Sequence, residues 1–531
     1  MEEADFVIVG AGSAGCVLAN RLSAETGTRV VLLEAGPRDT NPWIHIPVGY
    51  FRTMHNPAVD WCFKTEPDPG LNGRSIAWPR GRVLGGSSSI NGLLYVRGQP
   101  QDYDRWRQMG CTGWGWDDVL PLFKRAEGNT RGGDALHGAD GPLTVSDPAL
   151  ERPICAAWNA AAVAAGYPEN PDYNGPSQEG VGYFQVTTRG GLRCSAAKAY
   201  LKPAMKRSSL RVITGALALG IEMDGRRATG VRYRGPDGTR IIRAAREVIL
   251  CGGSINSPHL LMLSGIGDAE HLRDNGVTPA HDLSGVGQNL QDHLQARPVW
   301  RCMVPTLNDE VQNLWQKARI AAQYALTRRG PMTMAASLGV AFLRTRPELE
   351  TPDIQFHIQP WSAERPGEGP HPFSAFTASV CQLRPESRGH IALAGPDPVA
   401  YPKIHPNYLA TQTDCDTIVA GLKIARDIAG HIPLAGMIAG EEKPGRDVGD
   451  NDLLQWARDT AVSIYHPTGT CKMGPGDGAV VGPDLRVHGI QGLRVADASI
   501  MPEIVSGNTN APAIMIGEKA SDLVLSEARV R

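Results

Sequence analysis

No window of the sequence holds the run of about 18 apolar residues that a helical membrane span needs, so a transmembrane helix is excluded. Cysteine pairs at metal or redox spacing are also missing. The ten cysteines stand at 16, 62, 111, 155, 194, 251, 302, 381, 415 and 471, with no CxxC among them. That argues against a zinc ribbon or a disulfide framework and for a reducing compartment. No run of like charge and no basic stripe occurs. Lys plus Arg is 53, Asp plus Glu is 55 and the net charge is -2, so nucleic-acid binding has no electrostatic support. The N-terminal "MEEADFVIVG" is acidic and enters a strand at once, without the charged leader and apolar stretch of a secretory signal. The expectation is a cytoplasmic chain, with peripheral contact at the inner membrane left open. Tandem repeats and low-complexity tracts are absent too.

What remains is a chain of 531 residues, 42% hydrophobic, with a mean hydropathy of -0.23. That is enough for two large domains or one elaborated domain with an ample core. "DFVIVGAGSAGCVLANRLS" reads as a buried strand, a glycine turn and an amphipathic helix. "TRVVLLEAG" follows as a second buried strand ending at Glu34. A lone GxGxxG carries little, but strand–turn–helix context with an acid about 20 residues on makes it a dinucleotide fingerprint. Gly10 allows the turn, Gly12 lets backbone approach a pyrophosphate, and Gly15 lets the helix pack on the strand. Ser13 and Ala14 open the helix, whose free N–H groups face the phosphates. Glu34 can accept hydrogen bonds from a ribose diol and would repel a 2′-phosphate.

"WPRGRVLGGSSSINGLLYVRG" adds a second glycine-serine turn that could cradle another part of the same cofactor. "AAREVILCGGSINSPHLLMLSGIG" repeats strand, glycine pair and helix, with Glu247–Cys251 as strand and Asn256–Leu263 as helix. Ahead of it, short strands meet at Asp224–Gly225 and Asp237–Gly238, as an antiparallel sheet would. Between about Gln295 and Asp450 the glycine turns stop. "DIQFHIQPW", "FTASVCQL" and "GHIALAG" read as strands, Asn308–Thr327 and Thr413–Ala429 as helices, and Ser362–Pro372 as a mobile loop.

In "SIYHPTGTCKMG", His466 has no companion at metal-ligand spacing, because Cys471 alone is not a site. A catalytic base and a core histidine both stay open on composition. A second candidate, Asn510, precedes a helix starting near Ala511–Pro512.

Together these segments resemble the glucose–methanol–choline (GMC) family of FAD oxidoreductases, from Asp5 to about Ala520. The resemblance rests on "GRVLGGSSSINGLLYVRG" with Asp104 beyond it, and on "GSINSPHLLMLSGIG" (253–267). "GVGQNLQDH" (285–293), "YHPTGTCKMG" and "RVADASIMP…GNTNAPAIMIGEKA" are similar to later family blocks. It implies an α/β fold: a discontinuous Rossmann-like FAD-binding domain (1–155, 195–295 and 455–531) and a substrate domain on an antiparallel sheet (156–194 and 296–454). It implies FAD contacts at Gly10, Gly12, Ser13, Ala14, Gly15, Glu34 and Ala35, and near the flavin at Val83, Gly86, Asn91, Gly92 and Leu94. It further implies an adenine contact at Val212 and C-terminal contacts at Asp497, Ala498, Asn508 and Thr509. His466 matches the family's catalytic base and Asn510 its partner. His293, in "NLQDH", is read as a structural hydrogen-bonding histidine; His357 and Gln359 are candidates for the pocket wall or the strand core.

The implied activity is oxidation of a primary alcohol to an aldehyde, with electrons passed to a quinone or other acceptor. The substrate expected is an uncharged aliphatic or aryl-alkyl alcohol. An oxidase that makes peroxide from oxygen and a hydroxynitrile lyase are the alternatives. Some family members bond flavin covalently through a histidine in the glycine-serine motif, and Ile90 stands at that position. Isoleucine cannot form the link, so FAD is expected to be non-covalent. Acid precipitation should leave all the flavin in the supernatant; flavin pelleting with the polypeptide would show a covalent bond.

Overall fold

The computed structural model describes residues 2–364 and 368–530. One sheet runs Leu210–Thr214, Val30–Glu34, Glu2–Val9, Gly238–Leu250, Arg227–Gly235, Leu217–Asp224. The first four strands are parallel, and Leu493–Val495 adds in parallel beside the end of Gly238–Leu250. Val30–Glu34 is buried at every position, as a strand covered on both faces must be. The parallel strands end level with one another, so their turns gather at one edge. This is where an open α/β sheet leaves a crevice for a ligand.

The two antiparallel strands continue the sheet through tight hairpins. Asp224 pairs with Arg227 and Gly235 with Gly238, so the central turn residues are Gly225–Arg226 and Pro236–Asp237. The sequence placed each turn one residue to the side. Left-handed Gly225 (φ 56°) opens the first turn, and proline suits the first central position of the second.

The second sheet is antiparallel: Ile438–Lys443, Val299–Cys302, Ala375–Gln382, Ile354–Gln359, Gly339–Leu343, Gly180–Tyr183. Its short strand Leu294–Ala296 also pairs with Val462–Ser463, with Leu294 opposite Ser463. That pairing joins segments far apart in the chain and sets His293 beside His466. Ile354–Gln359 is buried along its length. By strand alternation Gln355, His357 and Gln359 share one face, and Ile354, Phe356 and Ile358 fill the core behind it.

The helix expected over Asn308–Thr327 is two helices, Leu307–Glu310 and Leu314–Thr327. Asn313 divides them: its side chain accepts from Trp315 N and caps the second. That second helix buries only Ile320 and Tyr324, while Leu314, Trp315 and Leu326 are 80%, 85% and 86% exposed. In the loop read as mobile, residues 365–367 lie outside the described residues. Flanking them, Ala363 bridges Pro370, and His371 N donates to Ser362 O at 3.0 Å. All ten cysteines are free thiols.

Candidate active site

The first glycine turn lies against the second βα turn. A Cβ on Gly10 (φ 103°) would sit 2.4 Å from the Cys251 carbonyl oxygen. A Cβ on Gly15 would sit 2.0 Å from Gly10 O, so only glycine lets helix Ser13–Leu22 pack there. The glycine-serine motif closes over both. A Cβ on Gly86 would meet Gly12 Cα at 2.7 Å. The helix begins at Gly12 with no side-chain cap, so its first N–H groups are open to the cavity at this point.

One cavity of 580 Å³ starts at these turns and runs to the second sheet. Gly10, Gly12, Ser13, Ala14, Glu34 and Ala35 line one end of it. Gly86, Asn91, Gly92 and Leu94 follow, with Asp497, Ala498, Asn508, Thr509, Asn510 and His466. Three expected contacts stand back from it. Gly15 acts through helix packing. Val83 is buried with Ile44, Val59 and Ile90. Val212 lies mid-strand opposite Leu32; the chain reaches the cavity after Gly215 (φ 66°), at Ala216, Leu217 and Ala218.

This donor set fits a dinucleotide: an uncapped helix start, two glycine turns and a carboxylate. Glu34 Oε2 accepts from Ala11 N (2.9 Å) and Oε1 from Gly36 N (2.8 Å). Burial pushes its pKa up to about 7, against those two hydrogen bonds and the charge of Arg82. Asp497 is fully engaged in structure: it accepts from Gly253 N (2.8 Å), Ser257 Oγ (2.6 Å) and Ser499 N (2.8 Å).

At the other end, three groups fix His466. Its backbone N donates to Asp292 Oδ1 at 2.7 Å. Asp292 also accepts from Tyr408 and Ser463, and burial raises its pKa to about 6. Tyr465, just before, is left-handed (φ 71°), and its carbonyl accepts from Arg80 Nη2 at 2.6 Å. A bulky residue held at positive φ is strained, and here it turns the chain so that the imidazole faces the cavity.

The ring nitrogens can be assigned from their partners. His293 Nε2 donates to the Leu383 carbonyl at 2.9 Å. Burial lowers His293 to about pKa 4, so the ring is neutral and its Nδ1 carries no proton. His466 Nδ1, 3.0 Å away, must therefore be the donor. Burial first, then His293, His357 and Arg80, hold the His466 pKa well below its ordinary value. A neutral His466 protonated at Nδ1 has its lone pair on Nε2, as an acceptor from Asn508 Nδ2.

Asn508 Nδ2 stands 3.2 Å from that lone pair. Its amide is oriented by Gln355 Nε2, which donates to Asn508 Oδ1 at 3.2 Å. Asn510, expected at this place, turns the other way: its Oδ1 accepts from Ser13 Oγ at 2.8 Å, beside the first glycine turn. Helix Asn510–Val530 begins at that residue, which carries its side chain away from the imidazole. Asp292, Gln355 and Arg80 had no place in the sequence reading. The "QDH" of "GVGQNLQDH" was the available signal for the first. His357 and Gln359 both line the cavity, and His357 stacks on Phe184 at 5.3 Å. Among the described residues no cluster could hold a metal ion.

The raised pKa of Glu34 gives cofactor binding a pH signature. A ribose hydroxyl donates to the ionised carboxylate. Affinity of the apoprotein for FAD should be level above about pH 7 and fall by up to about tenfold per unit below it, until the pKa in the complex is reached. Flavin-fluorescence titrations across this range check it, and Glu34→Gln should flatten the profile.

Comparison with known proteins bears on the same segments. The GMC oxidoreductase N-terminal model matches residues 4–295 and the C-terminal model residues 385–517. The chain is 42% identical to an alcohol dehydrogenase [acceptor] of Pseudomonas putida, over 98% of this chain and 95% of that protein. It is 43% identical to human mitochondrial choline dehydrogenase, over 98% and 90%. Among solved structures, pyridoxine 4-oxidase from Mesorbium loti superposes with a TM-score of 0.90 at 31% identity, covering 98% and 99% of the two chains. Formate oxidase of Aspergillus oryzae RIB40, in a structure concerned with FAD modification, gives 0.91 at 26%, covering 100% and 99%. With the glycine cradle, the parallel sheet and both family models in agreement, the chain belongs to the GMC oxidoreductases, a family of FAD-dependent enzymes.

Proposed function

We propose that the protein oxidises a primary alcohol to an aldehyde, with His466 as general base and Asn508 in the place first given to Asn510. The observation that carries this is the facing pair of Nε2 lone pair and Asn508 amide, 3.2 Å apart at one end of the FAD cavity. FAD, when bound, supplies the acceptor for the hydride that leaves the carbinol carbon. The side chains handle the proton and the oxygen. Nε2 of His466 takes the hydroxyl proton. Asn508 Nδ2 donates to the oxygen as negative charge develops on it. The imidazolium keeps its Nδ1–H bond to His293, whose lone pair faces it. Its low pKa keeps the base unprotonated across neutral and mildly acidic pH.

Choline is disfavoured as substrate. The cavity has aromatic walls, with Phe51 edge-on to Trp361 at 4.8 Å, and such walls suit a quaternary ammonium. Among the described residues the only acids lining it are Glu34 and Asp497, which stand at the cofactor end, while Arg297 lines the substrate end.

Electrons pass to a quinone-like acceptor in this reading, and the protein works at a membrane surface. What supports this is helix Leu314–Thr327. At about 100° per residue its buried Ile320 and Tyr324 lie opposite Leu314, Trp315, Ala318, Ala322, Ala325 and Leu326. The apolar stripe faces away from the protein. Lys317 and Arg319 flank it and Arg328–Arg329 follow, with no acid between Glu310 and Glu348. An outward apolar stripe with Trp and Leu among cations matches an anionic lipid surface. The P. putida relative is likewise named for an acceptor.

Anaerobic mixing with hexanol or benzyl alcohol should bleach the flavin. His466→Ala should keep FAD and slow bleaching by roughly 10²–10⁴, with Asn508→Ala milder and Asn510→Ala nearer the native rate. No bleaching by any alcohol would overturn the oxidation. In air, peroxide formed as fast as an artificial acceptor is reduced would make it an oxidase instead.

Holoenzyme should float with phosphatidylglycerol vesicles and not with phosphatidylcholine alone. Trp315→Glu combined with Leu326→Glu should abolish flotation without loss of flavin. Unchanged flotation would place the contact elsewhere.

A further inference from the structure

Arg297 is a cation on the cavity wall with no counter-ion. Its Nη2 donates to the neutral Gln359 Oε1 at 3.2 Å, and no carboxylate pairs with it among the described residues. Tyr50, Tyr465 and His357 are the groups within its electrostatic reach. Burial lowers its pKa, and only the hydroxyls of Tyr465 and Tyr50, not a carboxylate, oppose the effect. Arg297 is partly buried, and arginines buried more deeply are answered. Arg97 pairs with Glu127, and Arg494 with Glu247. Arg193 is held by Ile44 O, Ser88 O, Asn91 Oδ1 and Asn91 O.

The neighbouring wall is rich in donors that find no acceptor. The Tyr50 hydroxyl and Trp361 Nε1 are buried without a partner among the described residues, and both residues line the cavity. Gln359 Oε1 already serves Arg297. Even a partly buried guanidinium left without an anion is costly, and its fork geometry matches a carboxylate in particular.

We propose that Arg297 binds a carboxylate of the substrate, so that the preferred alcohol is a hydroxy acid with its acid group remote from the reacting hydroxyl. This rests on the oxidation proposed above and departs from the uncharged substrate expected from sequence. The reaction balances as for any alcohol. The C–H and O–H bonds of the CH2OH group break, hydride goes to FAD and the proton to His466. The C=O bond forms, and the carboxylate passes through unchanged. The aromatic side chains Tyr50, Phe51 and Trp361 surround the apolar part between the two ends.

The test pairs substrates that differ only in charge: ω-hydroxyhexanoate against hexanol, and para-hydroxymethylbenzoate against benzyl alcohol. Holoenzyme should favour the acid of at least one pair by roughly 10- to 100-fold in kcat/KM, the range for one charged hydrogen-bonded contact. Arg297→Gln should lower kcat/KM for the acid of that pair much more than for its neutral alcohol and so remove the preference, and Arg297→Lys should restore part of it. Neutral alcohols preferred in both pairs, or a loss in Arg297→Gln equal for acid and alcohol, would overturn the assignment. A binding measurement separates this from failure of the oxidation itself. Hexanoate and benzoate should perturb the flavin absorbance of native holoenzyme and not of Arg297→Gln. If no alcohol bleaches the flavin but this difference holds, the carboxylate site stands and the oxidation falls. If neither acid perturbs the native spectrum, the site falls.

Discussion

Nδ1 of His466 can donate to His293 only because the single N–H of neutral His293 is already held by the Leu383 carbonyl. Reverse that one bond and the order of protons along the two rings reverses with it. Nε2 of His466 would then carry hydrogen and face a hydroxyl as a donor. The cavity, the glycine cradle and the aromatic walls would be unchanged, yet the lone pair on Nε2 that the proposed oxidation requires would be gone. The fold sustains the arrangement by pairing Leu294 with Ser463, which brings "QDH" and "YHP" together at a fixed register. Asp292 grips the backbone of His466 while the next residue grips its ring. Two adjacent side chains of one strand entry thus set both the position and the tautomer of a histidine far along the chain.

Burial works differently at the two ends of the cavity. At His466 it removes the charged form of the imidazole and leaves a neutral ring of low basicity. In the oxidation proposed above such a ring would need the oxygen to be polarised as the proton moves, which is the part proposed for the Asn508 amide. At Glu34 burial opposes ionisation, and the two backbone N–H groups only partly restore it. The carboxylate therefore gains most from a ligand that brings further donors. Low dielectric withholds charge until a partner arrives in one case, and keeps a lone pair available in the other.

Much of the cofactor end was legible in the sequence because glycine turns are local devices. Gly10, Gly12 and Gly15 each answer a contact within a few residues or across one strand, and their spacing encodes it. His466 was legible through its motif. The residues that sequence misplaced are those whose facing depends on where an element starts or stops. Asn508 and Asn510 flank Thr509 and are indistinguishable by composition. The helix starts at Asn510, which sends that side chain to Ser13 and leaves Asn508 to face His466 and Gln355. Val212 is mid-strand, and the chain meets the cavity only after the bend at Gly215. Arg297 gave no signal at all, being one arginine among many until Gln359, Tyr50 and Trp361 come round it from other segments.

The abutting glycine turns carry a consequence for biosynthesis. Gly10 leaves the ribosome first, Gly86 next, and Asn508 long after both. Helix Ser13–Leu22 also needs the last helix, to which it is tied by Arg21 and Glu518 at 2.7 Å. A chain that lacks the segment around Asn508 and Thr509 has no complete pocket for FAD, because both residues line it. A truncation that removed Glu518 would be felt first at the opposite terminus, in a glycine turn with nothing behind its helix.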